Sequence, residues 1–192
     1  MLKPHVQACH RMMEDKLLIW KCKRGSRDAL RQIYEKYHRD LLKVAMVLTG
    51  QAHTAEDIVH DVFIKFAGSV GRLSLTGSLK GYLVVGTLNG VRDYRRKSSR
   101  RGKRSLDEAA TVASAVSRPD QWAMMSEELK RLSDAMAELP YEQREVITLH
   151  MQSGMTFRNI ARWQKTSTST VQGRYRYGID KLRSLLNGER SK

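Results

Sequence analysis

Apolar positions along this chain recur every three or four residues, the period of a helix with one buried face. Between Arg27 and Thr49 the stripe runs Leu30, Ile33, Tyr34, Tyr37, Leu41, Val44, Ala45 and Leu48. Gly50 stands where a left-handed cap would close that helix. A second helix is predicted from Thr54, with Asp57 three residues on as a capping-box variant. Its stripe is Ala55, Ile58, Val59, Val62, Phe63 and Phe66, while Glu56, Asp57, His60, Asp61 and Lys65 face the other way. Gly68, Gly71 and Gly77 mark a loop. A third helix is predicted over about Ser78 to Lys97, with Leu79, Tyr82, Leu83, Leu88 and Val91 packing inward. Gly81, Gly86 and Gly90 weaken such a helix by roughly 1 kcal/mol each if exposed, so it must lean on its neighbours.

The pattern then breaks. Residues 92–104 are intensely basic, and Ser105 to Arg118 are small and polar with weak periodicity. This stretch reads as a flexible linker and a domain boundary. Pro119 suits the first turn of a new helix, whose stripe is Trp122, Met125, Leu129, Leu132, Met136 and Leu139 before Pro140 stops it. A helix from about Glu142 to Gln152 follows, with Gly154 as its stop. Thr156 is placed to cap a short helix through Trp163, and Ser167 to cap a last helix from Thr168 to about Leu186. No run of period-two alternation bounded by turn residues occurs. The predicted fold is all-α: two small helical domains, 15–104 and 119–188, joined by a flexible linker over 105–118.

The formal net charge of +15 draws the chain toward polyanions, nucleic acid first and an anionic membrane surface second. Two cysteines, Cys9 and Cys22, are too few for a disulfide framework. His5, Cys9 and His10 lie close together, but no second ligand cluster with zinc spacing follows, so neither a metal nor a cofactor is expected. No stretch approaches the roughly 20 apolar residues of a membrane span. The N-terminus Met1-Leu2-Lys3-Pro4-His5 lacks an apolar signal core. A cytoplasmic protein without membrane insertion is expected.

The C-terminal rhythm of short helix, tight turn and longer helix is that of a helix-turn-helix, whose second helix reads base edges in the major groove. Its front face would carry Thr168, Ser169, Gln172, Gly173, Arg174, Tyr175 and Arg176. The plain alternative is a helical hairpin with a solvated polar face. In the basic run, Tyr94 among arginines suits stacking on unpaired bases, against the alternative of a solvated charge run.

Three ordered blocks resemble the sigma-70 family, specifically its small extracytoplasmic-function (ECF, group 4) RNA polymerase sigma factors. The first is Ala55-Glu56-Asp57-Ile58-Val59-His60-Asp61-Val62-Phe63-Ile64-Lys65-Phe66. The second is Leu79-Lys80-Gly81-Tyr82-Leu83 leading to Asn89, Asp93 and Arg95-Arg96. Both are similar to the family's region 2. The third runs from Leu139-Pro140 through Gln143-Arg144-Glu145-Val146-Ile147 and Ile160-Ala161 to Ser167, Thr170-Val171, Arg174, Gly178 and Lys181-Leu182-Arg183, and is similar to region 4. The resemblance covers about residues 15 to 186. Tyr82 stands where the family usually has tryptophan, Lys165 where the turn often has glycine, and Asn159 where an acidic residue is common.

The resemblance implies a sigma factor that binds core RNA polymerase and directs promoter recognition and DNA melting, with no catalysis of its own. Glu56, Asp57, His60, Asp61 and Ile64 would dock on the clamp helices of the polymerase's largest subunit, and the second domain on its flap. Asn89, Arg92, Tyr94, Arg95, Arg96, Lys97, Ser98, Ser99, Arg100 and Arg101 would serve the minus-ten element of promoter DNA, with Lys97 to Gly102 as a loop that captures a flipped base. Ser167, Thr168, Ser169, Thr170, Gln172, Gly173, Arg174, Arg176 and Tyr177 would read the minus-thirty-five element. The resemblance also leaves an anti-sigma factor as a further partner to look for. A repressor or activator working without polymerase would leave the first two blocks without a task. An enzyme acting on nucleic acid would need a carboxylate or metal cluster that the chain does not present. A purely structural basic protein would not need the ordered blocks.

Overall fold

The computed structural model of the protein describes residues 4–75, 77–104 and 127–188; the side chains of 4–12 and 100–104 stand outside that description. Every regular element among the described residues is helical. In chain order these are α1 (Pro4–Lys23), α2 (Arg27–Thr49), α3 (Ala52–Ser69) with a 3₁₀ turn (Val70–Arg72), α4 (Leu79–Arg104), α5 (Glu127–Ala137), α6 (Tyr141–Ser153), α7 (Phe157–Gln164) and α8 (Thr168–Gly188).

The α2 helix is bounded as its sequence predicts. Ser26 Oγ accepts the Ala29 N–H at 3.2 Å, and Gly50 closes the helix in the left-handed region at φ 69°. Ile33, Tyr37, Leu41 and the run Val44–Leu48 are buried. Tyr34 is at the rim instead, its ring 4.8 Å from that of Phe63. The helix α1 is an addition to the sequence reading. It packs on α2 through Leu18, Ile19 and Cys22, and its buried Asp15 accepts from Tyr37 Oη at 2.6 Å and Lys36 Nζ at 2.8 Å. Partial burial alone would lower the Lys36 pKa, but hydrogen bonds to Asp15 and Glu14 outweigh it and raise the value.

Two boundaries differ from the expectation. The α3 helix begins at Ala52, and Thr54 donates to Gln51 Oε1 at 2.9 Å, so the anticipated capping box is not made. The α4 helix starts as predicted, with Ser78 Oγ accepting the Gly81 N–H at 3.0 Å, but it runs unbroken to Arg104. Residues Lys97 to Gly102 are therefore helix and not a loop. Arginine and lysine are good helix formers, and one glycine near the end does not outweigh them. The glycines earlier in α4 are sites of close approach. A Cβ on Gly90 would lie 2.7 Å from Ile58 Cγ2, and one on Gly81 would lie 2.9 Å from the Ser153 carbonyl oxygen.

The two halves share one apolar core. Val146, Leu149, Ile160, Ala161 and Val171 belong to the same buried cluster as Ile33, Leu41, Phe66, Leu83 and Leu88. Val47 of α2 joins Met136, Leu139, Ile147 and Leu182 in a second cluster. The α6 helix lies antiparallel along α4, pairing Ser153 with Gly81, Glu145 with Arg92, and Tyr141 with Arg95. The expected linker 105–118, with Pro119, Trp122 and Met125, lies outside the described residues.

Candidate nucleic-acid and polymerase interfaces

The helix-turn-helix is assembled by its caps. Thr156 Oγ1 accepts the Asn159 N–H at 3.3 Å, and Ser167 Oγ accepts the Thr170 N–H at 3.0 Å. Between them Lys165 takes the left-handed conformation at φ 53°, its N–H directed to the Ala161 and Arg162 carbonyls. Ile160, Ala161, Val171 and Leu182 are buried behind the turn. This leaves Ser167, Thr168, Ser169, Thr170, Gln172, Arg176 and Tyr177 exposed along the front of α8, with Gly173 half-buried. The Arg176 guanidinium lies 5.1 Å from the Tyr177 ring centroid. Arg174 is tethered, its Nη1 donating to Gln164 Oε1 at 2.7 Å. Tyr175 departs from the expectation: it turns inward, edge-on to His150 at 5.0 Å and against Phe157 at 5.3 Å. The aromatic trio gains more from packing than a tyrosine would from standing in water.

The residues expected at the minus-ten element divide into two groups on α4. Asn89, Lys97, Ser98 and Ser99 are exposed, and Arg96 makes only an exposed pair with Asp93 at 3.2 Å. Arg92 and Tyr94 are half-buried and engaged within the protein, while Arg95 is exposed on one side. Arg92 donates to both carboxylate oxygens of Glu145, from Nη2 at 2.7 Å and from Nε, and its guanidinium lies 4.5 Å from the Trp163 ring centroid. Arg95 stacks over Tyr141 at 3.6 Å. The Tyr94 hydroxyl donates to Gln51 Oε1 at 2.9 Å. Burial, and then the nearby Glu145 charge, push the Tyr141 phenol well above its ordinary pKa. The side chains of Arg100 and Arg101 are outside the described set.

On α3, Asp57, His60, Asp61 and Ile64 form an exposed ridge, and Glu56 is half-buried at its edge. Ile64 is 57% exposed, an unusual place for isoleucine, and lines an apolar hollow of about 490 Å³ with Leu30, Tyr34 and Phe63. The opposite flank, with Asp57 and Asp61, borders a narrower groove against Asp93 and Lys97 of α4. The structure thus brings the expected ridge together and adds Leu30 and Tyr34 from α2. Sequence reasoning counted both as core because they share the α2 stripe. It also assigned no role to Glu145 and Gln164, which link the two halves. The one available signal was a glutamate directly before the apolar Val146-Ile147 pair.

Comparison with known proteins agrees with this geometry. Residues 33–101 match Sigma-70 region 2, and residues 129–182 match Sigma-70, region 4. The chain is 23% identical over 158 residues to the ECF RNA polymerase sigma factor SigX of Bacillus subtilis, covering 80% of this chain and 81% of that one. It is 28% identical over 166 residues to SigL of Mycobacterium tuberculosis, covering 82% and 88%. It is 26% identical over 153 residues to BldN of Streptomyces coelicolor, covering 79% of this chain but 57% of that longer one. Among solved structures, CnrH in complex with the cytosolic domain of CnrY aligns at TM-score 0.61 and 22% identity, covering 91% of this chain and 98% of that one. RpoE from Bartonella quintana, in complex with the anti-sigma factor NepR, aligns at TM-score 0.58 and 22% identity, covering 82% and 96%. With both of its sigma regions matched in order on the helices that form its two halves, the chain belongs to the sigma-70 family of RNA polymerase sigma factors and is of the ECF type.

Proposed function

We propose a division of labour within this sigma factor's role in transcription initiation. The first unit, 15–104, binds core polymerase through the α3 ridge and acts on the minus-ten element through α4, with Asn89 central. The second unit, 119–188, reads the duplex minus-thirty-five element with the front of α8 and docks on the polymerase flap, and residues 105–118 join the two. The observation that carries the reading is the α3 ridge. Exposed Asp57 and Asp61 beside exposed Ile64, on a chain of net charge +15, suit a protein partner and repel DNA. The closed duplex presents a distinct pattern of base edges in the major groove, which a helix front can read. A base inside the stack has to be drawn out before it can be recognised, and the exposed Asn89 on a basic helix is equipped to hold it. The chain contributes recognition and no catalytic group of its own. Its place of action is the cytoplasm; no helix among the described residues is long and apolar enough to cross a membrane. An anti-sigma protein is a proposed further partner, on the analogy of CnrH and RpoE.

Lysine at both Asp57 and Asp61 tests the core-binding role. Affinity for core polymerase, read by fluorescence anisotropy with labelled sigma factor, is expected to fall about tenfold or more, since like charge against the partner is costly. Helix content should not change, because both side chains are exposed. Unchanged core affinity in the double variant sinks the assignment.

A further inference from the structure

We propose that Gln164, anchored on Glu145, is a positioning residue for DNA reading: it holds the Arg174 guanidinium in one orientation before the upstream duplex arrives, and so sharpens the base preference of α8. The proposal rests on the reading of α8 given above. Gln164 ends α7, next to the left-handed turn at Lys165 that leads to the recognition helix. Its amide nitrogen donates to Glu145 Oε2 at 2.8 Å and to the Glu142 carbonyl at 3.2 Å. Both partners are acceptors, so they fix which end of the amide faces α6. The amide oxygen is thereby turned to α8, where it accepts from Arg174 Nη1 at 2.7 Å.

The anchor is firm. Glu145 is 1% exposed and also accepts from the Tyr141 hydroxyl at 3.3 Å and from Arg92 Nη2 at 2.7 Å. Gln164 and Arg174 are half-buried and ten positions apart, and the bond between them joins the two helices of the motif across its turn. An arginine side chain otherwise samples many rotamers, and ordering it on binding weakens the complex. The bond at Nη1 removes much of that cost while using one of the five guanidinium donors. A guanidinium held in one orientation offers its other donors in one geometry. That suits the paired acceptors of a base edge better than the diffuse charge of the phosphates. Arg176, two positions on, is exposed instead, its guanidinium 5.1 Å from the Tyr177 ring centroid.

Gln164→Leu keeps the bulk of the side chain and removes both hydrogen-bonding ends, and Gln164→Ala removes the side chain beyond Cβ. Each is made alone and combined with Arg174→Ala; Arg174→Ala and Arg176→Ala are also made singly. Holoenzyme assembled from core polymerase and the full chain selects from a library of DNA duplexes randomised in the upstream segment. Sequencing then gives the relative affinity for each base at each position, while circular dichroism and thermal unfolding follow the fold. Arg174→Ala is expected to cut discrimination at one base pair by about tenfold or more. The Gln164 variants should cut it at the same pair by about three- to tenfold and leave other positions unchanged. They should add nothing once Arg174 is alanine, as expected of residues that act through one another. A uniform loss of affinity over all sequences, or effects that add to those of Arg174→Ala, overturns the positioning role and leaves Gln164 a structural residue. Loss of helix content in both Gln164 variants does the same. Arg176→Ala separates this role from the reading of α8 itself. If it shifts base preference and the Gln164 variants do not, only the role of Gln164 falls. If no variant shifts any preference, the assignment of α8 to the upstream duplex falls with it.

Discussion

Single residues in the helix-turn-helix set both its strain and its reach. Lys165 occupies the left-handed region at φ 53°, where a residue with a Cβ pays about 1–2 kcal/mol. Glycine relieves that cost but gains freedom in the unfolded chain. Lys165→Gly is therefore expected to stabilise by about 0.5–1 kcal/mol and to raise Tm by about 2–4 °C in thermal unfolding; an unchanged or lower Tm would show that the turn is not strained. Arg174 and Arg176 both look like base readers in the sequence, yet only Arg176 stands free of a tether to α7. The caps at Thr156 and Ser167 were legible because their chemistry is local. The inward turn of Tyr175 was not, since it depends on His150 and Phe157 from two other helices.

Helices were legible where a stripe of apolar residues is matched by a cap at each end, as in α2. The unpredicted α1 has a mixed face: Leu18, Ile19 and Cys22 are buried, but Met13, Leu17 and Trp20 stand exposed beside them. The extension of α4 past Lys97 was hidden by its charge, which reads as a solvated run although its residues favour helix. The glycines of α4 separate two effects that sequence alone merges. A Cβ on Gly86 would meet Val62 at 3.4 Å, whereas one on Gly90 would meet Ile58 Cγ2 at 2.7 Å, a branch fixed at Cβ that cannot swing aside. Gly86→Ala is expected to be neutral or to stabilise by up to about 1 kcal/mol through helix propensity. Gly90→Ala should force α3 and α4 apart and cost about 1–3 kcal/mol. Denaturant unfolding of both variants checks this, and equal effects of the same sign would refute the packing role of Gly90.

For the whole molecule, the order of the helices after α1 followed from periodicity, but the way the two halves meet did not. Arg92 and Glu145 are 53 positions apart, and nothing local marks them as partners. Their pairing engages Arg92 within the protein, while Asn89 and most of the front of α8 are exposed. The two units are proposed to do different work at a promoter. The measurement that tests this most directly is permanganate reactivity of unpaired thymines, with holoenzyme carrying Asn89→Ala or Arg176→Ala on matched duplex and pre-melted templates that both retain a duplex upstream element. Arg176→Ala should weaken recruitment to both templates by about 1–3 kcal/mol, while Asn89→Ala should leave upstream recognition nearly intact and slow opening of the duplex. Normal melting by the Asn89 variant, or a defect confined to melting in the Arg176 variant, would contradict the assignment of roles to the two units.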